Sequence, residues 1–406
     1  MDLSRPSAPV RLNLDTTRRC QLSCWYCHSS SGPDYRGPVI DADTLPEILD
    51  TADQLRVFEI TVTGGEPTMW PGLVPLLQQS VELSFASVVM ITNAIATPPR
   101  VLRAIESSNL SRICISLDGL AEVHDRNRGP GAGERALAGI RALREVHDNL
   151  TVISVIDTTN HRRWPELTRV LSDLGVTAHH LAPVCMAGHA MTDYRGLTVD
   201  QFAEVRELVD RTRVEVPEVR LEFNDVLVRP PATRTMPLYQ MTEQWKGWHR
   251  IVRPDGDVRT QIRAWGRSWR TNESQGNIHS TSLAQILASR AHTVAPFVRA
   301  EEVARKFHLG ADAPLILADL HDVDAVAHGT GGSPGDQPNS ARVPAPELLG
   351  VQLAELAAGI RNDPHRYRIR EEDDFALLFD TRTDDVMILR SDEFASLSVD
   401  LVEVPA

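Results

Sequence analysis

Three of the chain's five cysteines, Cys20, Cys24 and Cys27, lie within eight residues of one another. Three thiolates on one short loop can ligate three irons of a cubane iron–sulfur cluster and leave the fourth iron open to a substrate or cofactor. A structural zinc ion would need a fourth ligand, and His28 follows Cys27 directly, which is an awkward spacing for closing a tetrahedron. A disulfide would leave one cysteine over, and nothing at the N-terminus resembles a secretory signal. We therefore expect a metal cluster in a reducing, cytoplasmic compartment.

Length and charge limit the kinds of protein that this chain can be. The 406 residues exceed one average domain, which predicts two or three units or one large barrel. The net charge of -13, with 55 acidic against 42 basic residues, argues against a phosphate backbone as the partner. No apolar run approaches the roughly 18 residues that a membrane span needs. We predict a protein that binds neither nucleic acid nor a membrane.

Strand and helix patterns alternate along the first half of the chain. Residues 10–17 alternate apolar and polar side chains, which predicts a strand that leads directly into the cysteines. Further strands are predicted at 57–63, 87–92, 111–117, 151–157 and 176–182, and helices at 43–55, 71–83, 98–107, 133–147 and 163–174. Six strand–helix repeats favour a parallel sheet that closes, or nearly closes, into a barrel. In such folds the site lies at the carboxyl ends of the strands.

Polar or glycine-rich motifs follow the next three predicted strands. They read Gly64-Gly65-Glu66-Pro67, Thr92-Asn93 and Ser116-Leu117-Asp118-Gly119. Together with Cys20-x-x-x-Cys24-x-x-Cys27, they resemble the radical S-adenosylmethionine (radical SAM) superfamily over roughly residues 10–210. The resemblance implies an α/β fold, a partial (β/α)6 TIM-like barrel with a small α+β C-terminal extension.

The resemblance also implies cofactors and the residues that hold them. The three cysteines would bind one 4Fe-4S cluster, whose open iron would chelate the methionine moiety of S-adenosylmethionine. Tyr26 would pack beside the adenine ring. Gly64 and Gly65 would let the backbone approach the methionine amino group, which Glu66 would support. Taken alone, Gly-Gly-Glu-Pro is also an ordinary strand-terminating turn.

Further contacts with the cofactor are implied at later strand ends. Asn93, Ser116 and Asp118 would hydrogen-bond the ribose and other polar edges. Arg128 resembles an arginine that pairs with the cofactor carboxylate through a charge-assisted contact. Ser116 and Asp118 alone would also fit a helix cap or a turn, and Arg126 is the alternative to Arg128.

Residues from 176 onward resemble the branch of the superfamily that has a SPASM or twitch extension. Leu181-Ala182-Pro183 followed by Gly188 is similar to the end of that branch's sixth strand, where backbone groups, here of Leu181, touch the adenine. Residues 252–258 predict a hairpin. The auxiliary cysteines of the extension are absent, because Cys114 and Cys185 are the only cysteines outside the N-terminal loop. We therefore expect a vestigial extension that binds no second cluster.

These patterns predict four units. Residues 1–215 form the barrel, 216–290 the vestigial extension, 291–345 a helical piece with a flexible linker, and 346–406 a helix with a hairpin. The C-terminal helix is predicted at 346–360, and the two hairpin strands at 375–380 and 385–390.

The resemblance implies an enzyme that cleaves S-adenosylmethionine reductively and removes a hydrogen atom from an unactivated carbon. Without auxiliary clusters to accept an electron, a redox-neutral outcome such as epimerisation is favoured. Cys185 could then return a hydrogen atom, whereas Cys114 is interpreted as core filler. The extension and the C-terminal unit favour a ribosomal peptide as substrate, with flavodoxin or ferredoxin as electron donor. The alternatives are a sugar or aminoglycoside-like intermediate of a natural-product pathway and a non-catalytic iron–sulfur scaffold.

Overall fold

Strands and helices alternate along the first two thirds of the chain, and most of these strands form one large sheet. In the computed structural model the described residues are 7–184, 188–193, 195–223, 227–228, 236–237, 249–260, 274–288, 297–298, 315–316, 356, 358–363, 366–371, 375–382, 386–390 and 394. The strands are β1 (Arg11–Asp15), β2 (Glu59–Thr63), β3 (Ser87–Thr92), β4 (Leu110–Ser116), β5 (Leu150–Ile156), β6 (Ala178–Pro183), β7 (Arg220–Phe223), β8 (Leu227–Val228), β9 (Met236–Pro237), β10 (His249–Val252), β11 (Asp257–Thr260), β12 (Gly276–Asn277), β13 (Phe297–Val298), β14 (Leu315–Ile316), β15 (Tyr367–Glu371), β16 (Phe375–Asp380) and β17 (Val386–Arg390). The helices are α1 (Leu45–Gln54), α2 (Leu73–Gln79), α3 (Pro99–Glu106), α4 (Ala121–Arg128), α5 (Ala132–Arg144), α6 (Trp164–Asp173), α7 (Val199–Glu215) and α8 (Leu283–Ala288).

The main sheet confirms the predicted α/β barrel. Strands β1 to β6 lie side by side in chain order, and all are parallel. Each of these six strands was predicted, with ends that differ by two residues or fewer. β7 adds to β6 at one end, and β10 pairs in parallel with β1 at the other. The predicted hairpin is present as β10 and β11, which together with β12 continues the same sheet.

Helix α4 and strands β7 and β15 are among the elements that were not predicted. Helix α4 has only two apolar side chains, Ala121 and Val123, among eight residues, so its sequence carries little helical periodicity. Strand β15 joins the predicted pair β16 and β17 in a three-stranded antiparallel sheet. Strand β7 follows α7 and lengthens the main sheet by one strand.

The barrel strands bury apolar side chains against the helices and turn the alternate side chains toward the lumen. Leu12 and Leu14 of β1 are fully buried in the core cluster shared with the helices. In α1 the buried residues Leu45, Ile48, Leu49 and Ala52 recur at helical spacing on one face of that helix. Because side chains alternate along a strand, Asp15 lies on the opposite face of β1 from Leu12 and Leu14, and therefore faces the lumen.

The C-terminal sheet covers the opposite end of the barrel from the cysteines. Phe379 of β16 stacks on Phe58, which precedes β2, with ring centroids 5.5 Å apart. Arg370 of β15 donates hydrogen bonds to the carbonyl oxygens of Ala8 (2.8 Å), Pro9 (2.9 Å) and Arg56 (3.1 Å). These contacts all lie at the amino-terminal ends of β1 and β2. No helix within the described ranges is long and apolar enough to cross a membrane.

Candidate functional site

The three cysteines lie on a loop, residues 16–32, that leaves the carboxyl end of β1; we call it the cysteine loop. Its base is closed by the Cys20 N–H, which donates to the Gly32 carbonyl, and by the Gly32 N–H, which donates to the Arg18 carbonyl, each at 3.1 Å. Cys20 and Cys24 are only 7% and 8% exposed. Burial raises the pKa of the Cys20 thiol to about 12 and that of Cys24 to about 11. Binding metal as thiolates therefore requires these groups to release protons.

Backbone N–H groups are directed at two of the cysteine sulfurs. The Leu22 N–H donates to Cys20 Sγ at 3.5 Å, and the Ser31 N–H donates to Cys27 Sγ at 3.3 Å. Among the residues described, no three His, Cys, Asp or Glu side chains converge as ligands of one metal ion would. Each cysteine of a cubane cluster binds a different iron, so the three thiols of this loop could together hold one 4Fe-4S cluster.

A short helical turn after β6 clamps the cysteine loop from above. The His189 N–H donates to the Cys27 carbonyl (2.9 Å), and His189 Nδ1 bonds to the Cys24 carbonyl (3.1 Å). Gly188 has a φ of +57°, and a Cβ there would lie 2.2 Å from the Cys27 carbonyl oxygen. The sequence predicted Gly188 as part of a motif but gave no indication of His189.

The glycines after β2 are held against the start of the cysteine loop. The Gly65 N–H donates to the Thr17 carbonyl (2.5 Å), and the Glu66 N–H donates to the Arg19 carbonyl (2.9 Å). A Cβ at Gly65 would lie 2.3 Å from the Arg19 carbonyl oxygen, and a Cβ at Gly64 would lie 2.5 Å from the Thr17 carbonyl oxygen. These glycines therefore allow the loop to approach the end of β2, which positions Cys20.

The Glu66 carboxylate is buried, and both of its oxygens accept hydrogen bonds. Oε1 accepts from the Thr68 N–H (3.1 Å), Thr68 Oγ1 (2.8 Å) and Thr92 Oγ1 (2.6 Å), and Oε2 accepts from the Asn93 N–H (2.8 Å). Burial raises the pKa of Glu66, although these four hydrogen bonds oppose the rise. The carboxylate thus joins the ends of β2 and β3 at the edge where the cysteine loop lies.

Tyr26, Asp118 and Arg128 are brought together and bind one another. Arg128 donates from Nε to Asp118 Oδ2 and from Nη2 to Asp118 Oδ1, each at 3.0 Å. The Tyr26 hydroxyl donates to Asp118 Oδ2, and the Arg128 guanidinium lies 5.3 Å from the centre of the Tyr26 ring. Although burial opposes it, the Arg128 charge holds the pKa of Asp118 below its usual range. This cluster joins the cysteine loop to the ends of β4 and α4.

The remaining predicted site residues lie at the same edge of the sheet or outside the described residues. Ser116 is half-buried at the end of β4. The Leu181 side chain is buried among Ile156, Trp164 and Phe202, so only its backbone is available on the lumen side. Cys185 lies outside the described residues.

One lumen residue that the sequence did not indicate is Asp15. It is 1% exposed, and neither carboxylate oxygen has a hydrogen-bond partner among the residues of known placement. Burial raises its pKa to about 7, while the charges of Arg18 and Arg253 oppose the rise. A buried polar group without a partner is costly, so Asp15 is a candidate contact for a bound molecule.

Comparison with known proteins supports this description. Residues 14–171 match the family model of the Radical SAM superfamily. The chain is 27% identical over 217 residues to the PqqA peptide cyclase of Gluconobacter oxydans, covering 52% of this chain and 60% of that protein. It is 25% identical over 181 residues to the AdoMet-dependent heme synthase of Methanosarcina barkeri, covering 44% of this chain and 52% of that protein. The chain thus spans about half the length of the curated relatives that it matches.

A solved structure shares the fold. SuiB of Streptococcus suis, bound to S-adenosylmethionine, aligns with a TM-score of 0.59 at 15% identity, covering 71% of this chain and 67% of that one. The cysteine loop supplies three thiols with N–H donors at two sulfurs, and the neighbouring strand ends hold that loop in place. These donors fit the 4Fe-4S cluster that the superfamily uses together with S-adenosylmethionine. Residues 14–171, which include the cysteine loop, are thus similar to the radical SAM superfamily.

Proposed function

We propose that this chain is a radical SAM enzyme that abstracts a hydrogen atom from a ribosomally made peptide. The observation that carries the proposal is the cysteine loop, which is fastened to the ends of β2 and β4 and to the turn after β6. The peptide class is supported by two similar proteins. One is named as a cyclase of the peptide PqqA, and SuiB has been solved with the precursor peptide SuiA.

In this proposal the chain holds two cofactors at the carboxyl edge of the sheet. Cys20, Cys24 and Cys27 ligate the cluster. When bound, the cluster and S-adenosylmethionine supply a one-electron cleavage that yields methionine and a 5'-deoxyadenosyl radical. An external donor such as flavodoxin or ferredoxin provides the electron.

The S-adenosylmethionine contacts are proposed residue by residue. The methionine end lies against Gly64, Gly65 and Glu66, and the remaining contacts come from Tyr26, Asn93, Ser116, Asp118, Arg128 and the backbone of Leu181. Arg128 uses Nε and Nη2 on Asp118, which leaves Nη1 for the cofactor carboxylate. Asp118 therefore orients the guanidinium.

The substrate side of the site is the barrel lumen. Asp15 faces it and offers two oxygens that accept no hydrogen bond from the described residues. The C-terminal sheet lies at the other end of the barrel, with Arg370 on Ala8 and Pro9. A peptide bound at the lumen would therefore contact the barrel and not the C-terminal sheet.

For the outcome we propose a redox-neutral change, with epimerisation as the leading case. The bound cofactors would supply the removal of a hydrogen atom from a substrate C–H bond, and the Cys185 thiol would then return a hydrogen atom to that carbon. The resulting sulfur radical takes up an electron from the external donor and a proton. In Cys185→Ala, 5'-deoxyadenosine should still form while the epimerised peptide is lost. Unchanged product formation would refute the role of Cys185.

The function is tested by anaerobic reconstitution with iron and sulfide. The protein should bind about four irons per chain and form 5'-deoxyadenosine from S-adenosylmethionine and dithionite. Cys24→Ala is the matched negative control, and Cys114→Ala should behave as wild type. Candidate substrates are short peptides encoded beside the gene, tested by the mass and stereochemistry of the product. Turnover of a sugar or aminoglycoside-like intermediate of a natural-product pathway, but not of such peptides, would favour that alternative. A colourless protein that forms no 5'-deoxyadenosine would refute the proposed enzymatic activity.

A further inference from the structure

Asn93 lies beside the first cysteine of the loop, and both ends of its side-chain amide are engaged. Nδ2 donates to Cys20 Sγ at 3.6 Å. Oδ1 accepts from Gln21 Nε2 and from the Ile95 N–H, each at 3.1 Å. Because only an oxygen can accept from these two donors, they determine that the nitrogen end of the amide faces the sulfur.

The backbone that carries Asn93 is also held. The Asn93 N–H donates to Glu66 Oε2 at 2.8 Å, and the preceding residue, Thr92, donates to Glu66 Oε1 at 2.6 Å. Asn93 is 6% exposed and Cys20 is 7% exposed, so little water reaches the contact between them. A hydrogen bond in such surroundings is electrostatically stronger than one in water.

We propose that Asn93 is a positioning residue that donates a hydrogen bond to the Cys20 thiolate and thereby raises the reduction potential of the cluster. Gln21, the residue next to Cys20, holds the amide in this orientation. Reduction adds a negative charge that is partly carried by the ligand sulfurs. An N–H dipole directed at one of them therefore stabilises the reduced state more than the oxidised state. The inference rests on the proposed function, because it requires a cluster at Cys20.

The contact gives Asn93 a different role from the ribose contact that the family resemblance implies. Its amide oxygen is used by Gln21 and Ile95, and one amide hydrogen is directed at Cys20. A ligand contact is thus limited to the second hydrogen on Nδ2. The geometry points to the sulfur as the main partner of this side chain.

The test is a redox titration of reconstituted full-length protein, followed by EPR of the reduced cluster without added S-adenosylmethionine or peptide. Asn93→Asp keeps an oxygen for Gln21 and Ile95 but replaces the donor with an acceptor. Asn93→Leu removes the donor without adding a charge. Both midpoint potentials should be more negative than that of wild type. At the wild-type midpoint, the ratio of reduced to oxidised cluster in Asn93→Asp should fall about tenfold, which corresponds to about 59 mV for one electron.

Two further variants separate this effect from a general disturbance. Asn149→Asp makes the same chemical change at the amino-terminal end of β5, where its Nδ2 donates to the Ser111 carbonyl, and should leave the potential unchanged. Gln21→Met keeps Asn93 but leaves the Ile95 N–H as the remaining donor to its oxygen, so a smaller shift in the same direction is expected. A wild-type midpoint potential in Asn93→Asp at full iron content would overturn the inference alone. A wild-type protein that assembles no cluster would overturn the proposed function as well.

Discussion

Asp15→Asn should remove a negative charge that the fold buries without a hydrogen bond from the described residues. Burial raises the pKa of Asp15 from 3.8 to about 7, against the opposing charges of Arg18 and Arg253. The unfolded chain ionises this carboxyl near pH 4, whereas the folded chain ionises it near pH 7. The folded state therefore loses stability as the pH rises between these values and loses no more above them. The difference between the two pKa values corresponds to a loss of about 4 kcal/mol in the free energy of unfolding at neutral pH and above.

The measurement is urea unfolding of metal-free wild type and Asp15→Asn from pH 5 to pH 8. Over this range wild type should lose about 2–3 kcal/mol relative to the variant. Asp53→Asn is the control, because removing its carboxylate should change the stability in the opposite direction. Although partial burial opposes it, hydrogen bonds from residues 84–86 hold the pKa of Asp53 below its usual range. Removing that carboxylate should therefore destabilise the chain equally across these pH values. If the difference between wild type and Asp15→Asn does not vary with pH, the Asp15 charge is already compensated in the folded chain.

Three further substitutions test how the loop and the barrel end are held. Gly65→Ala places a Cβ 2.3 Å from the Arg19 carbonyl oxygen and should lower the iron bound on reconstitution, whereas in Gly32→Ala the Cβ would lie 3.7 Å from Ser23 Oγ and iron binding should stay normal. His189→Ala removes the hydrogen bond to the Cys24 carbonyl, so the cluster absorbance should decay several-fold faster under a chelator; an unchanged decay rate would count against the clamp. Arg370→Met removes hydrogen bonds to three carbonyl groups and should lower the free energy of unfolding by about 3 kcal/mol, with iron content unaffected.

The strand order and the location of the site could be predicted because they depend on local patterns. The apolar runs of the parallel strands and the polar residues that follow them are both visible in the sequence. Cys20, Glu66 and Asp118 were expected at one edge of the sheet, and each follows its strand there. Once the six strands are parallel, their carboxyl ends must share that edge.

The partners of the side chains could not be predicted in this way. Asp118 and Arg128 were interpreted as separate cofactor contacts, but helix α4 brings them into a buried ion pair. In the sequence, Asp15 is an ordinary polar residue of a strand with alternating polarity. Arg253 lies near it because β10 pairs in parallel with β1. His189 contacts a loop that precedes it by more than 160 residues. Such contacts depend on the tertiary arrangement rather than on spacing along the chain.

The contacts at the amino-terminal end of the barrel also affect the order in which the chain folds. Arg370 bonds to carbonyl groups that precede it by 361 and 362 residues, and Phe379 stacks on Phe58. Contacts with such long sequence separations form slowly because a large loop must close first. During synthesis the six barrel strands emerge from the ribosome well before β15 and β16. The C-terminal sheet therefore covers this end of the barrel only late in synthesis. Until then Phe58 lacks its contact with Phe379, and the Ala8 and Pro9 carbonyls lack their hydrogen bonds from Arg370, so they are open to chaperones and other chains.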